Sequence, residues 1–171
     1  SLHEPGVLCI AKGKEHKKYE FGAKASIVWT KSTGVIVGAM SFTRNLYDGH
    51  TLPDVLKQVE EIVGARPEIG ICDKGYRGKK EVDGTEILIP GRPKKADTPY
   101  ERRKARGRFR RRAGIEPVIG HLKHDNRMTR NYLKGAVGDA INLFMAAAAY
   151  NFRKWMRAVV LFFAFLIFGR Q

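Results

Sequence analysis

From Tyr19 to Thr30 the chain alternates two kinds of side chain. Tyr19, Phe21, Ala23, Ala25, Ile27 and Trp29 fall on one side, and Glu20, Lys24, Ser26 and Thr30 are among those on the other. A period of two is the pattern of a half-buried strand. "KSTG" at 31–34 supplies turn residues and Val35 to Phe42 (VIVGAMSF) reads as a second strand, so an antiparallel hairpin is expected. The period then changes. In DGHTLPDVLKQVEEIVG, Val55, Leu56, Val59, Ile62 and Val63 recur at helical spacing, with Thr51 placed to cap the helix and Gly64 to stop it. A chain that switches period this soon is neither all-helical nor all-β.

The same alternation of element types continues. Ile69 to Cys72 reads as a short buried strand ending on Asp73, with Gly75 just after, and Glu86 to Pro90 (EILIP) as another. GRPKKADTP, at 91–99, is a linker by composition; a helix follows near 115–124, then a long alanine-rich helix from Ala136 to Trp155. The order predicts an α/β fold. With 171 residues, 43% of them hydrophobic, the chain is sufficient for one domain, placed at 1–155, followed by an apolar tail at 156–171. Within that tail Ala158 to Phe168 is an unbroken apolar run of eleven. A membrane-spanning helix needs about 20 such residues, so the run is read as a buried or partner-facing helix.

Charge narrows the choice of partner. Against 32 Lys+Arg stand 17 Asp+Glu, a formal net charge of +15. That balance points to nucleic acid, with an acidic membrane as runner-up. Residues 101–112, ERRKARGRFRRR, hold eight basic side chains in twelve positions, read as a clamp on a DNA backbone in preference to a solvated arm. Cys9 and Cys72 lie far apart without zinc-ribbon spacing, which implies no disulfide framework and suits a reducing cytoplasm. The chain opens on Ser1 with no visible signal segment, and is expected to be a fragment of a longer protein.

One acid lies where acids are scarce. In RRRAGIEPVIGHLKHDNR (110–127), Ile115, Val118, Ile119 and Leu122 form an apolar helical face, while Arg112, Glu116, Lys123 and Arg127 form a neighbouring polar stripe. Pro117 predicts a kink or a helix restart. Glu116 is open to two readings. It forms ordinary surface ion pairs, worth about 0.3–0.5 kcal/mol, or it serves a site together with Asp73, which leaves a buried strand where α/β folds place ligand chemistry. Two acids brought together suit Mg²⁺, which takes carboxylate oxygens, water and substrate phosphate.

The residues carry a resemblance to a known family. CDKGYRG at 72–78 resembles the second-aspartate motif of the DDE transposases of bacterial insertion sequences. Their glutamate signature runs Tyr, two residues, Arg, three residues, Glu, six residues, Lys; here Phe109, Arg112, Glu116 and Lys123 keep that spacing, with phenylalanine in place of tyrosine. HEPGVLCIAKGKEHKKYEFGAK, YDGHTL and INLFMAAAAYNFRK resemble the same proteins, so the similarity covers most of residues 3–155. The resemblance implies an RNase H-like fold, a mixed sheet with flanking helices. It also implies divalent-metal chemistry with Mg²⁺ or Mn²⁺, in which Asp73 and Glu116 are metal ligands and double-stranded DNA at the element ends and target is cut and rejoined. Arg112 and Lys123 would hold phosphate near the cut, with Arg110, Arg111 and Arg127 adding DNA contacts. A homodimer in a transposition complex and a nucleoid-associated cytoplasmic location are further expectations.

The same resemblance puts a first aspartate on a strand before the hairpin, at or ahead of Ser1. Glu4 and Asp48 are the stand-ins within reach; Asp48 looks more like the loop acid that opens a helix. The expected activity is therefore that of a transposase fragment, inactive alone. A non-catalytic basic DNA-binding remnant and an unrelated nuclease with an RNase H-like core are the competing readings. His121 and His124, one helical turn apart, are read as phosphate contacts or exposed residues in preference to a metal pair. Tyr76 and Tyr132 are read as packing in preference to base stacking.

Overall fold

The computed structural model describes residues 7–15 and 17–169. Its strands form three small sheets. β1 (Leu8–Lys14) and β2 (Lys17–Gly22) make an antiparallel ribbon; β3 (Lys24–Trp29) and β4 (Ile36–Phe42) make a second antiparallel pair. After α1 (Asp48–Val63) come β5 (Ile69–Ile71), β6 (Glu81–Val82) and β7 (Thr85–Leu88), in the order β5-β7-β6 with β5 parallel and β6 antiparallel to β7. Three helices follow: α2 (Pro99–Arg112), α3 (Ile115–His124) and α4 (Gly135–Phe168). The mixed α/β class is as the sequence predicts.

The hairpin forms where expected, closed by Thr30 N–H donating to the Val35 carbonyl at 2.8 Å, with Gly34 at a φ of 66°. Its first strand differs from expectation. The alternating stretch is two strands, broken at Gly22 (φ 148°), and its first half pairs with β1, which no periodicity marked. Tyr19 and Phe21 are consequently exposed. The second half is covered on both faces: Ile27 and Trp29 pack with the cluster of Ile36, Ala39, Val118, Leu122, Leu143, Ala146 and Ala147, while buried Ser26 meets Thr51 of α1 at 3.0 Å between hydroxyls. Helices lie on both sides of β3, whose residues other than the buried Ser26 stay partly buried or exposed, as a half-buried strand should.

Thr51 does not cap α1, which begins three residues earlier. Its side chain is fully buried, and its hydroxyl donates to the Asp48 carbonyl at 2.8 Å. Gly64 stops the helix as predicted, in the left-handed region at φ 77°. Val59 lies against Gly38 of β4, where an added Cβ would come within 2.8 Å of its methyl group. Leu52 and Leu56 pack with Val82 and Ile87, so α1 ties the hairpin to the three-stranded sheet.

The outer edge of β4 is closed by side chains. Asn151 of α4 accepts from Ile36 N–H at 2.9 Å and donates to the Ile36 carbonyl at 2.7 Å; Gln58 of α1 accepts from Ala39 N–H at 2.8 Å. Carboxamides here replace the partner strand that an open edge would recruit.

The restart anticipated at Pro117 falls at Ala113 and Gly114, between α2 and α3. Pro117 is the third residue of α3, within the first turn, where its missing N–H removes no intrahelical bond. α4 extends beyond the expected Trp155 and takes in the apolar tail without a break. Val160 to Phe163 and Phe165 to Phe168 are all exposed in this single chain, so the tail is not buried. Among the described residues no helix is long and apolar enough to cross a membrane.

Candidate catalytic and DNA-binding site

β5 delivers Asp73 to the end of its sheet. The Asp73 carboxylate caps a short 3₁₀ turn, Lys74–Tyr76, with Oδ1 accepting from Gly75 N–H at 2.8 Å. That contact fixes the side chain and leaves Oδ2 facing Arg112 Nη2 at 3.3 Å. The other guanidinium nitrogen, Nη1, lies 3.6 Å from Glu116 Oε1. One arginine at the end of α2 thus bridges an acid from the β5 exit and an acid from the first turn of α3. Three residues singled out from two motifs meet at one place.

A fourth joins them from α1. Asp48, the first residue of that helix, is paired through Oδ1 with Lys24 Nζ at 2.5 Å. A Cβ added to Gly75 would collide with Asp48 Oδ2 and stand 3.0 Å from Asp73 Oδ1. Oxygens from two carboxylates therefore converge over the bare Cα of Gly75. Lys24, Asp48, Asp73, Arg108, Arg111, Arg112 and Lys123 all line an open cleft of about 2130 Å³. Cations outnumber acids in that set, and low-dielectric walls focus their field on an anionic ligand.

The remaining expectations are distributed around this centre. Arg110, Arg111 and Arg112 form the last turn of α2, whose residues are all at least partly exposed. Lys123 is exposed on α3, and Arg127 holds a left-handed φ of 56° in the following turn. His121 Nδ1 meets Asp125 Oδ2 at 2.8 Å, and Arg153 Nη1 meets the same oxygen at 2.8 Å. These contacts, that of His121 first, hold the Asp125 carboxyl below its ordinary value. Among the described residues no group of three His, Cys, Asp or Glu side chains is gathered closely enough to hold a metal ion by itself. Glu4 lies outside the described residues.

Burial decides the fate of three other groups. The Cys72 thiol is pushed up to about 11, by burial first and then by the neighbouring Asp73 charge, against the pull of Arg112. Tyr76 packs against the Leu52, Leu56, Val82 and Ile87 cluster, and burial raises its phenol above the ordinary value. It is a packing residue. Tyr132 is exposed with the Arg130 guanidinium 5.3 Å from its ring centre.

Sequence reasoning missed that 99–112 is a helix. Its signal is TPYE at 98–101: the Thr98 hydroxyl accepts from Glu101 N–H, Glu101 reaches back to Thr98 N–H at 2.7 Å, and Pro99 opens the helix. That reciprocal pair is a capping box. It converts an apparent arm into a rod of cations directed at the Asp73 site.

A mixed α/β protein with carboxylates and an arginine at the mouth of a basic cleft is the class that fold and site define. The family model for the transposase DDE domain matches residues 6–152, most of the chain, and the protein belongs to the DDE transposase family. No curated protein and no solved structure matches it.

Proposed function

We propose that this chain is part of a transposase that cuts and rejoins DNA at the ends of an insertion sequence through a divalent metal site on an RNase H-like fold, its expected inactivity alone turning on whether Asp48 takes the place of the missing first aspartate. The observation that carries the reading is the Asp73–Arg112–Glu116 constellation, with its distances of 3.3 and 3.6 Å. Asp73 and Glu116 offer carboxylate oxygens, the donors that Mg²⁺ or Mn²⁺ takes. Asp73 and Glu116 are the proposed ligands. Asp48 is the nearest acid to them for a third place, its Oδ2 sharing the space above Gly75 with Asp73 Oδ1.

When bound, the ion supplies an activated water and charge stabilisation for the leaving oxygen. The protein's own groups supply the rest. Arg112 holds the two acids in register and presents its charge to a scissile phosphate; Arg110, Arg111, Lys123 and Arg127 hold phosphates on either side by charge-assisted hydrogen bonds. Lys24 pairs with Asp48 and balances its charge. Gly75 keeps the space between the carboxylates clear of side-chain carbon.

Nicking of supercoiled plasmid with Mn²⁺ or Mg²⁺ tests this. Any wild-type cleavage should be lost in Asp73→Asn, Glu116→Gln and Asp48→Asn alike, with DNA affinity equal or higher in each. Cleavage persisting in Glu116→Gln removes that residue from the metal site, and persistence in Asp48→Asn removes Asp48. A second reading, a DNA-binding remnant without catalysis, is favoured by the absence of a three-ligand group among the described residues. Salt-sensitive binding with no metal-dependent nicking under any condition establishes it.

A further inference from the structure

The turn between α3 and α4 presents an aromatic ring that the fold does not use. Tyr132 is 74% exposed, so the packing expected of it is not formed. The Arg130 guanidinium covers one face of the ring, 5.3 Å from its centre, and neither buried cluster takes the ring in. This exposure does not come from a loose backbone. Met128 N–H donates to the Leu122 carbonyl at 3.0 Å, and the Met128 side chain packs on the core around Leu122. The Thr129 hydroxyl donates to the Lys123 carbonyl at 3.1 Å. Asn131 accepts from Leu133 N–H at 3.0 Å and donates to Asp139 of α4 at 2.9 Å, which pins the chain on either side of Tyr132. Gly138 lets that backbone in close, since a Cβ added there would stand 2.8 Å from the Leu133 carbonyl carbon. A ring held out on a fixed backbone gives up little freedom when a ligand arrives.

Charge around the ring defines the ligand. Arg127, Arg130 and Lys134 are all exposed in the same turn. The acids at its two ends are engaged, Asp125 by His121 and Arg153 and Asp139 by Asn131. Arg130 and Asn131 line the cleft that also holds Asp73 and Arg112. A cationic surface takes a polyanion, and an exposed ring takes a flat face. A single nucleic-acid strand offers both together. In a duplex only the base edges are open, in the grooves, so the ring finds no face to cover on paired DNA.

We infer that Tyr132, with Arg130 on one face of its ring, stacks its other face on an unpaired base of a DNA strand whose phosphates are held by Arg127 and Lys134. The inference rests on the DNA partner of the function proposed above and adds a single-stranded subsite to it. Asp125, where the turn begins, follows Glu116 along α3. The distance is about 14 Å at 1.5 Å per residue, or about four nucleotides of strand at 3.4 Å each. The subsite therefore serves bases a few nucleotides away from the acids, and it uses none of the acidic residues.

Fluorescence anisotropy of the full chain without metal, against a labelled oligothymidylate and a duplex of the same length, tests it. Wild type should bind both. Tyr132→Ala should weaken oligothymidylate binding by at least about fivefold and duplex binding far less, and Tyr132→Trp should restore the single-strand affinity. A strand of the same length made of abasic residues should bind wild type and Tyr132→Ala alike. Equal losses on both DNAs, no loss on oligothymidylate, or an abasic strand that still distinguishes the two proteins overturns the inference. A wild type that holds the duplex but not the single strand overturns it while leaving the cleavage reading in place. The single-strand effect in a protein that never nicks plasmid supports this subsite and overturns the cleavage reading alone; binding of neither DNA overturns both.

Discussion

Gly75 is the residue on which the geometry of the acids turns. Any side chain there must displace Asp48 Oδ2 or Asp73 Oδ1. Gly75→Ala should therefore leave stability little changed while weakening Mn²⁺ binding, read by quenching of intrinsic fluorescence or by calorimetry; unchanged metal affinity would exclude the space above Gly75 as the site. The thiols make a separate test. Cys9 is exposed, whereas the Cys72 thiol, pushed up to about 11, stays protonated at neutral pH. Only thiolate attacks a disulfide reagent, so native protein should show one fast thiol and one slow one. The rate of the slow one should rise about tenfold per pH unit through neutral and mildly alkaline pH, levelling off only near that value. Asp73 and Glu116 were both legible from motif spacing. The convergence of Asp48 on Asp73 was not, because it arises from α1 packing across two sheets, a contact with no trace in local periodicity.

At the scale of elements, the helices that bury a face were readable and those that do not were harder. α1 and α3 announce themselves by apolar spacing. α2 has no buried residue to create such a pattern, and its only advertisement is the capping box at its start. Its stability accordingly depends on that start. Thr98→Ala should cost about 0.5–2 kcal/mol, measured by thermal or denaturant unfolding, with the loss concentrated in α2 by amide exchange. The bonds from Thr98, through its backbone N–H first and then its hydroxyl, hold the Glu101 carboxyl below its ordinary value of 4.5. A depressed folded value means the stabilisation is present above that ordinary value and is lost as pH falls through the folded one. Glu101→Gln keeps the geometry and should flatten this acid dependence; an unchanged acid limb would remove the capping box as its source. The β1–β2 ribbon was only half legible, since its exposed aromatics continue the alternation of β3 across Gly22.

The whole molecule combines a modest core with a large positive charge. Leu122, fully buried between the hairpin and α4, anchors α3 beneath the Arg112–Glu116 turn. Leu122→Ala should cost 2–5 kcal/mol or thereabouts and should loosen the acidic site as well as the fold, seen as reduced DNA affinity at temperatures below unfolding. Long-range charge predicts its own signature. Arg110, Arg111 and Arg112 changed together to Ala should weaken binding to every DNA sequence and lower the salt slope by about 2–3. A slope that does not move would show that the turn leaves phosphate untouched. Overall class was readable from alternating periods because both helix and sheet write their geometry into hydrophobic spacing. The division into three sheets was not, because strand partners are set by tertiary packing.

The carboxamides of Asn151 and Gln58 give the β3–β4 pair a handedness of growth. Two helices already engage Ile36 and Ala39 on the β4 margin, which makes that side a poor template for a foreign chain. Polymerisation through stacked strands, the hazard of any small sheet, has one direction left to it, outward from β3, and β3 borders the cleft that holds Lys24 and the acids. A polyanion held in that cleft would lie beside β3.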